Sequence, residues 1–420
     1  MRLVGVSGKG ADGSLRPADV AGPAEAIRRD LEHLYETAFL APALDRPSLL
    51  AHFSGEARAE AQRDLDRLTL GPVRAEVDEV MPRRAAVRLT FLADNRGNPL
   101  AAFADTEFEA SAVSGGANAR ITHRGDFVLR KLNGRWRIVS YDVRGRVPRP
   151  AQLQPRTGRA AFAPGLPSNR PLFVLVIGSD ARPGRSAVNA RADSIHIVGV
   201  NPRLGRVSIL GIPRDSWVPI PGSGTNKINA ALVSGGPELL VRTVEQVSGI
   251  PIDAFVLTGF VGFERLVQAV GGIDIKIPYP IDDAAARAHF RRGPEHLNRD
   301  EALAFSRARH DVPAGDFSRS FNQGRLMIAA LATLRRQVAG GRLAALLPWV
   351  LAGGRFLQTD LSVGQIFELL LAANGFEPGR ARNEVASGSG ATVGGLSVVV
   401  LGERARALFR DLRGDAVLGG

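Results

Sequence analysis

The sequence predicts a smaller α+β domain followed by a larger α/β domain, on three observations. At 420 residues the chain is longer than one ordinary hydrophobic core supports. Residues 147–170 contain five prolines and no periodic pattern, which is typical of a linker. Beyond them, continuously apolar strands are followed by segments of helical periodicity, the pattern of a sheet covered on both faces. The predicted boundaries are 23–146 for the smaller domain and 171–420 for the larger one.

The predicted smaller domain begins with helices and ends with strands. Residues 1–22, which precede it, are rich in Gly, Ala and Asp without periodicity and predict a flexible lead. Asn133-Gly134 predicts a two-residue hairpin turn before the last strand. The elements predicted from periodicity are, in order, helices at 24–50 and 57–68 and strands at 73–77, 86–91, 106–112, 118–123, 125–132 and 136–143.

Helices followed by an antiparallel sheet that closes on GRWRIVSYDV resemble the cystatin-like cone of the nuclear transport factor 2 type. The resemblance covers about residues 24–146. Such cones can hold ligands, but no convergent set of polar residues is evident in this segment. A packing or spacer domain is therefore the favoured interpretation.

The composition favours an anionic partner. The net charge is +12 and the pI is about 11.0, which suits nucleic acid, an anionic membrane or a phosphorylated substrate. All but four of the 54 basic residues are arginine, and with the abundance of Ala and Gly this indicates that the codon bias of a GC-rich genome accounts for most of the charge. The positions of the arginines therefore matter more than their number. The absence of cysteine excludes disulfides, thiolate metal sites and cysteine nucleophiles.

The sequence predicts neither a transmembrane nor a signal segment. The longest apolar run, at residues 343–352, is shorter than the roughly 18–20 residues that a membrane span needs and is interrupted by Pro348. The amino terminus lacks the charged start and apolar stretch of a signal peptide.

Charged residues gather where three predicted strands of the larger domain begin or end. The strands cover 173–177, 194–200 and 207–212. Their short connections favour an antiparallel meander, which places the end of the first, the start of the second and the end of the third at one edge of the sheet. The charged residues expected at that edge are Asp180, Arg191, Asp193, Arg214 and Asp215.

Carboxylates beside arginines at one edge suit a divalent cation and a phosphorylated ligand. Mg²⁺ takes oxygen ligands, and the guanidinium fork matches phosphate oxygens. The alternative is that charged residues cap strands because strand ends meet solvent. A single charged residue favours that alternative, whereas five at one edge favour a site.

A second set of basic residues follows about a hundred residues later. Asn298 and Glu301 form the sequence pattern of a capping box, which predicts a helix over 300–309. Arg307 and Arg309 fall in its predicted last turn, where arginine also offsets the helix dipole. These two residues alone therefore do not identify a site.

The next predicted helix begins near Asp316 and runs to about residue 338. Asp316 is the predicted N-cap, and Arg319 and Gln323, four residues apart, share a face. The alternative is a capped and solvated first turn. Lys227, in a loop before another predicted helix, either steers phosphate or is simply exposed.

Several enzyme classes are disfavoured by the motifs that are missing. The seven histidines show no HExxH or other metal spacing. The sequence contains no Walker loop and no GxSxG, which disfavours a P-loop nucleotide enzyme and a serine hydrolase.

Eight motifs together resemble the LytR-CpsA-Psr family over about residues 172–334. Each motif alone is weak, but their shared order along the chain is specific. They are, in chain order, VLVIGSDAR, RADSI, VNP, IPRDSWV, KINAA followed by GG, VGFERLVQAVGGI, HLNRDEALAFSRAR and GDFSRSFNQ.

The resemblance implies an α/β/α sandwich with a mixed central sheet and an apolar pocket for a polyprenyl tail. It also implies a Mg²⁺-dependent phosphotransferase that moves a glycopolymer from a polyprenyl-pyrophosphate carrier to peptidoglycan or a related wall acceptor. Positioning and charge neutralisation are the main requirements of phosphoryl transfer. The partners implied are the lipid-linked glycopolymer, the wall acceptor and the membrane surface, at the extracytoplasmic face of the membrane.

The resemblance also implies roles for individual residues. Asp180 and Asp193 would hold Mg²⁺, and Asp316 or a metal-bound carboxylate is the candidate general base. Residues implied to bind the pyrophosphate are Arg191, Arg214, Lys227, Arg307, Arg309, Arg319 and Gln323. Of these, Arg191, Arg214, Arg307 and Arg309 also count as catalytic residues, because they would neutralise the transferred phosphate.

Three residues depart from the family pattern, and none belongs to the predicted charge cluster. Gly211 stands where the family usually has Ser before the IPRD motif, Gln268 replaces an Asp, and Arg299 replaces a common Gly. Family members are normally tethered by one membrane span, whereas this sequence predicts none.

Two other functions stay open at this point. The first is a polyprenyl-pyrophosphate-binding regulator, although no helix-turn-helix or basic recognition helix predicts a nucleic-acid partner. The second is a pyrophosphatase, since water can replace the acceptor hydroxyl in the same site.

The predicted charge cluster should surround a cavity that continues into an apolar channel. A polyprenyl chain is wholly hydrocarbon, and burial of each methylene contributes about 0.8 kcal/mol. The apolar segments expected to form the walls are 231–241, 255–270 and 326–334.

Overall fold

The computed structural model describes residues 1–10, 13–41, 43–71, 74, 77, 79–94, 96–114, 117–146, 170–181 and 187–419. These residues form two compact units, described separately. The first unit comprises the described parts of Met1–Pro164, together with Val338–Arg355 and Ser362–Phe367. The second unit comprises the described parts of Gly165–Gln337, together with Phe356–Leu361 and Glu368–Gly420.

The chain up to residue 146 folds as helices followed by long strands. Its strands are β1 (Arg2–Gly10), β2 (Gly13–Ser14), β3 (Glu79–Ala93), β4 (Pro99–Ser114), β5 (Ala117–Leu132) and β6 (Arg135–Arg146). Its α-helices are α1 (Ala21–Tyr35), α2 (Arg46–Ala51), α3 (Gly55–Arg63) and α4 (Leu65–Leu68).

The rest of the chain contains fourteen further strands and seven further α-helices among the described residues. The strands are β7 (Leu172–Ser179), β8 (Ala192–Asn201), β9 (Arg206–Gly211), β10 (Trp217–Ile220), β11 (Gly224–Lys227), β12 (Ala254–Thr258), β13 (Ile273–Ile277), β14 (Ile281–Asp283), β15 (Ala288–Phe290), β16 (Gly293–Leu297), β17 (Gln358–Thr359), β18 (Arg382–Val385), β19 (Gly388–Val393) and β20 (Leu396–Leu401). The helices are α5 (Ala230–Ser248), α6 (Phe260–Ala269), α7 (Arg299–Arg307), α8 (Asp316–Val338), α9 (Leu346–Phe356), α10 (Val363–Asn374) and α11 (Glu403–Asp415).

The first unit is built on one six-stranded sheet with the strand order β2-β1-β3-β4-β5-β6. Its longest helix, α1, buries Ile27, Leu31 and Tyr35 against the core. The hairpin between β5 and β6 turns at Asn133 and Gly134, both of which have positive φ, as a two-residue turn of this type requires. The predicted strands at 118–123 and 125–132 are one strand, β5. Most of the predicted strand at 73–77 lies outside the described residues.

The prediction of a flexible lead at residues 1–22 is wrong for much of that segment. Strand β1 pairs in parallel with β3, and Pro17–Val20 forms a 3₁₀ helix. Leu3 and Val6 pack against the core, and this apolar contact orders a segment whose Gly and Ala content suggested disorder. The predicted linker lies outside the described residues except for Arg170, which pairs with Asp253.

The first unit also contains a segment from late in the chain, which the predicted boundaries assigned to the larger domain. Most of α9 belongs to the first unit and buries Leu346 and Val350. The rings of Phe103 and Phe367 stack, with centroids 4.7 Å apart. Apolar packing therefore joins residues that are more than 200 positions apart in sequence.

The second unit is built on a mixed six-stranded sheet with the order β17-β12-β7-β8-β9-β18. Strands β7, β8 and β9 form the antiparallel meander that the short connections predicted, and β12 and β18 pair in parallel with β7 and β9. One face of β7 packs with α5 and α11. The opposite face packs with apolar residues of α8 and α10. Helices thus cover both faces, and the predicted α/β class is confirmed.

No helix within the described ranges is both long enough and apolar enough to cross a membrane.

We expect Phe103→Ala and Phe367→Ala each to lower the stability of the first unit by about 3–5 kcal/mol, since both side chains are fully buried. The double variant should lose less than the sum, by about 0.5–1.5 kcal/mol, because stacked rings stabilise each other. Denaturant unfolding measures this coupling. Leu204→Ala, at a residue 52% exposed, is the control and should change little. Additive losses from the two phenylalanine changes would contradict the stacking.

Candidate functional site

The register between β7 and β8 places the first predicted charges at one edge of the sheet. Ser179 pairs with Ala192 and Gly178 with Ser194, so Asp193 is the unpaired residue of a bulge at the start of β8, next to the end of β7 that Asp180 follows. The Asp180 N–H donates to the Arg191 carbonyl at 3.0 Å, and the Arg191 N–H donates to the Asp180 carboxylate at 2.9 Å. These two bonds close the loop between the strands.

Arg214 reaches this edge from the end of β9. The Ile212 N–H bonds to the Ile195 carbonyl, which continues the ladder beyond β9 and fixes the direction of the chain. Nη1 of Arg214 lies 2.6 Å from Oδ1 of Asp193. Burial alone would lower the pKa of Arg214, but the charges of Asp193, Asp316 and Asp215 outweigh burial and raise that pKa.

Asp316 lies among three arginines at the start of α8. Its carboxylate is 2.8 Å from Arg319 Nη2, 3.3 Å from Arg214 Nε and 3.7 Å from Arg309 Nη1. Asp316 is the first residue of α8 rather than the predicted N-cap, because the Arg319 N–H donates to the Gly315 carbonyl at 3.0 Å and so places the cap at Gly315. It therefore joins side chains from three separate parts of the chain.

A cavity of about 400 Å³ lies in the second unit, between the sheet and α8. Six of the ten predicted site residues line it. They are Asp193, Arg214, Arg307, Arg309, Arg319 and Gln323. Most of the remaining lining is apolar and includes Val176, Val256, Phe260, Phe263, Leu266, Leu303, Leu326, Met327 and Ala330.

Four predicted site residues do not line this cavity. Asp180, Arg191 and Asp316 lie at the sheet edge or beside the arginines, as described above. Lys227 pairs with Asp215 at 2.9 Å, which neutralises its charge locally. Of the predicted walls, 255–270 and 326–334 contribute, but 231–241 does not. That segment lies in α5 and packs on the other face of the sheet.

The capping box of Asn298 and Glu301 opens α7 as predicted. The helix ends at Arg307. The sequence predicted Arg309 in the last turn, but Arg309 lies beyond the end of the helix. The Arg307 guanidinium carbon is 5.0 Å from the centre of the Phe260 ring. This cation–π contact holds Arg307 against the apolar wall of the cavity.

Asp283 is a buried carboxylate that sequence reasoning missed. Its carboxylate accepts the backbone N–H groups of Arg309, His310 and Ala286 at 2.8, 2.9 and 3.0 Å. Burial alone would raise the pKa of Asp283, but these three donors outweigh burial and lower the pKa to about 2. The available signal was the alternation in β14, which places Asp283 on the same buried side as Ile281.

Gln323 and Arg319 project from α8 into the cavity. Gln323 Nε2 donates to the Ser306 carbonyl at 2.9 Å, which engages one of its two N–H groups. Arg319 is 5% exposed, and burial, together with the charges of Arg214 and Arg309, lowers its pKa. Asp316 and Asp193 oppose this lowering.

Asp180 and Asp193 suit a magnesium ion that also binds a phosphorylated substrate. One oxygen of each accepts a hydrogen bond, from Arg191 and Arg214, and no described residue donates to the second oxygen of either. Mg²⁺ is commonly bound by one or two carboxylates with water and substrate phosphate completing the shell. No cluster of three or more metal-ligating side chains occurs in the described part of the chain. Two carboxylates would supply only part of such a ligand set.

Comparison with curated sequences finds relatives that cover part of this chain. The polyisoprenyl-teichoic acid–peptidoglycan teichoic acid transferase TagU of Bacillus mycoides (strain KBAB4) is 32% identical over 202 residues, which are 48% of this chain and 64% of the relative. The corresponding transferase TagV of Bacillus subtilis (strain 168) is 37% identical over 172 residues, which are 39% of this chain and 43% of the relative. The chain thus spans about half the length of the curated relatives it matches.

Comparison with solved structures and with protein families gives a consistent result. The crystal structure of B. subtilis TagV is similar with a TM-score of 0.50 and 28% identity, covering 58% of this chain and 96% of that one. A sequence model of the LytR_cpsA_psr family matches residues 152–411. The cone resemblance of residues 24–146 stays a prediction. Because the family match extends over more than half of the chain, this protein belongs to the LytR_cpsA_psr family.

Proposed function

We propose that the second unit is a phosphotransferase that moves a glycopolymer from a polyprenyl-pyrophosphate carrier to peptidoglycan or a related wall acceptor. The single observation that carries the proposal is the cavity, which combines four arginines with a largely apolar lining. The transferase names of the TagU and TagV relatives agree with it.

The arginines suit a pyrophosphate rather than a single carboxylate. Arg214, Arg307, Arg309 and Arg319 all line the cavity and all carry forked donors. Charge-assisted hydrogen bonds from such forks to phosphate oxygens are among the strongest in proteins. A ligand with several anionic oxygens could contact several of these forks at once, whereas a single carboxylate could contact only one or two of them.

The apolar lining argues for a hydrocarbon next to the phosphates. Phe263 and Leu266 of α6 and Leu326 and Met327 of α8 line the same cavity as the arginines. Burying a hydrocarbon chain there would contribute about 0.8 kcal/mol per methylene. A soluble phosphate ester would leave this surface unused. We therefore place the substrate at the membrane surface, on the extracytoplasmic side where wall polymers are attached.

Magnesium would be held by Asp180 and Asp193 together with the substrate phosphates, and when bound it would neutralise phosphate charge. The arginines would orient the pyrophosphate and hold the transferred phosphate in line with the acceptor hydroxyl. Asp316, which forms ion pairs with three arginines, would keep them assembled before the substrate arrives. This role differs from the general base implied by the resemblance, because three arginines already engage the carboxylate.

Incubation with Mg²⁺, a polyprenyl-pyrophosphate-linked oligosaccharide and wall fragments tests the proposal. Transfer of the oligosaccharide to the fragments is the expected result. Release of free phosphorylated oligosaccharide would indicate a pyrophosphatase. Binding without turnover would indicate a regulator.

We expect Arg214→Ala or Arg309→Ala to slow transfer about 10- to 100-fold, because each charge-assisted hydrogen bond contributes roughly 1.5–3 kcal/mol. Lysine at either position should recover only part of the rate, since it keeps the charge but loses the fork. Arg203→Ala, in the exposed turn at the far end of β8, is the matched control. Equal losses for Arg203→Ala and Arg214→Ala at unchanged melting temperature would mean that general basicity binds the substrate.

We expect Asp180→Asn and Asp193→Asn to weaken Mn²⁺ binding, used as a probe for Mg²⁺, at least tenfold in the presence of inorganic pyrophosphate. The reason is that each change removes an anionic oxygen ligand from a site with few protein ligands. Electron paramagnetic resonance of free Mn²⁺ measures the binding. Asp282→Asn, at a side chain 78% exposed, is the control. Unchanged Mn²⁺ affinity in both site variants would remove these carboxylates from the metal site.

We expect Asp283→Asn to make the free energy of unfolding depend less on pH in the acid range. Because the pKa is lower in the folded chain, the ionised carboxylate stabilises the fold fully above its ordinary pKa of 3.8, and this stabilisation is lost as the pH falls through about 2. The contribution is on the order of 2 kcal/mol. Denaturant unfolding of wild type and variant from pH 7 to pH 2 measures it. A constant difference between the two proteins across that range would contradict this role.

A further inference from the structure

His196 is a buried histidine of the second unit that the proposed function does not use. It lies in β8, and its side chain is 0% exposed. Nε2 is 3.0 Å from the Ser320 carbonyl oxygen and 3.4 Å from the Ser320 hydroxyl. Nδ1 is 3.0 Å from the hydroxyl of Ser194, a residue that lines the cavity. His196 therefore connects α8 to the cavity wall.

These contacts fix which ring nitrogen carries the hydrogen. A carbonyl oxygen can only accept, so Nε2 must carry the hydrogen and donate it to Ser320. Burial lowers the pKa of His196 to about 4, which leaves the imidazole neutral at pH 7. Nδ1 is then a bare acceptor. The Ser194 hydroxyl must donate its hydrogen to Nδ1.

Ser194 consequently presents only a hydrogen-bond acceptor to the cavity. With its hydrogen engaged by His196, the Ser194 oxygen offers only lone pairs to a ligand. An ionised phosphate oxygen also has only lone pairs and cannot bond to it. Ser194 thus has the opposite hydrogen-bonding character to the arginines that line the same cavity.

Gly211 provides the space for this arrangement. It pairs with His196 in the β8–β9 register, and a Cβ at Gly211 would lie 2.3 Å from the Ser320 hydroxyl and 3.1 Å from His196 Nε2. Any larger residue would displace one of the two partners. A glycine at this position therefore leaves room for the contact between His196 and Ser320.

Gln323, on α8, provides a second hydrogen-bond acceptor at the cavity. Its Nε2 donates to the Ser306 carbonyl, which can only accept, and this fixes the orientation of the amide. The remaining Oε1 is buried, has no hydrogen-bond partner among the described residues, and belongs to a side chain that lines the cavity. A buried acceptor without a partner costs about 1–3 kcal/mol, which a ligand that donates to it would recover.

We propose that Ser194 Oγ and Gln323 Oε1 form a subsite for an uncharged hydrogen-bond donor, a hydroxyl or amide N–H of the sugar joined to the pyrophosphate. His196 is the positioning residue of this subsite. The proposal rests on the proposed function, because it assumes that a pyrophosphate occupies the arginines. It predicts that the cavity distinguishes sugar-bearing substrates from substrates of equal charge without donors.

Two synthetic diesters test the proposal on the full chain. The first joins geranylgeranyl pyrophosphate to N-acetylglucosamine, and the second joins it to cyclohexanol, which gives the same charge and lipid without donors. Calorimetry in Mg²⁺ should show the wild type binding the sugar diester about fivefold more tightly, the contribution of roughly one net hydrogen bond. Ser194→Ala should abolish this preference by weakening the sugar diester alone.

Changes at His196 separate positioning from a merely structural role. His196→Leu frees the Ser194 hydrogen to donate to phosphate, so the sugar preference should fall while affinity for the cyclohexyl diester holds or rises. His196→Asn, whose side-chain oxygen can accept from Ser194, should restore part of the preference. Melting temperatures are measured in parallel, and Ser194→Ala decides the question if the His196 variants do not fold.

The possible failures are distinguishable. If the wild type binds neither diester, the proposed function itself is wrong. If it binds both equally, or if Ser194→Ala weakens both equally, the subsite is wrong and the proposed function stands. If Ser194→Ala instead lowers Mn²⁺ affinity without changing the sugar preference, the Ser194 oxygen serves a metal ion, and the subsite is likewise wrong.

Discussion

Repulsion among like charges is the constraint that organises the second unit. Four guanidinium groups line one cavity of about 400 Å³, and Arg319 is almost fully buried there. Their assembly depends on carboxylates that approach from other parts of the chain. Asp193 holds Arg214, Asp316 contacts three arginines, and Asp283 fixes the backbone of Arg309. The sheet edge, the segment after α7 and the first turn of α8 are positioned so that these contacts form.

The sequence was informative where local rules determine position. Short connections force the β7–β8–β9 meander, and that topology alone brings Asp180 and Asp193 to one edge. The capping box of Asn298 and Glu301 likewise predicted the start of α7, because it depends only on residues three positions apart. The partners of the side chains were not predictable. The sequence did not determine whether Lys227 would contact a phosphate or a carboxylate, and in the structure it pairs with Asp215. The burial of Asp283 depends on donors from residues more than 25 positions away.

The N-terminal strand and the cavity walls show a second limit of sequence reasoning. A Gly-rich start suggested disorder, yet β1 gains order from β3, some eighty residues further along. The apolar segment 231–241 was an equally good wall by composition, but α5 packs on the other sheet face. In both cases the missing information was which apolar surface a segment meets, and this depends on the whole fold rather than on local pattern.

The first unit is completed by residues near the end of the chain, and this affects how the protein is made. Ribosomes release the chain from its amino terminus, and domains generally fold as they emerge. Here α9 and Phe367 appear only after most of the second unit has been synthesised. The apolar surface around Phe103 therefore stays uncovered until Phe367 has been synthesised. Transiently exposed apolar surface of this kind favours aggregation until the later residues cover it.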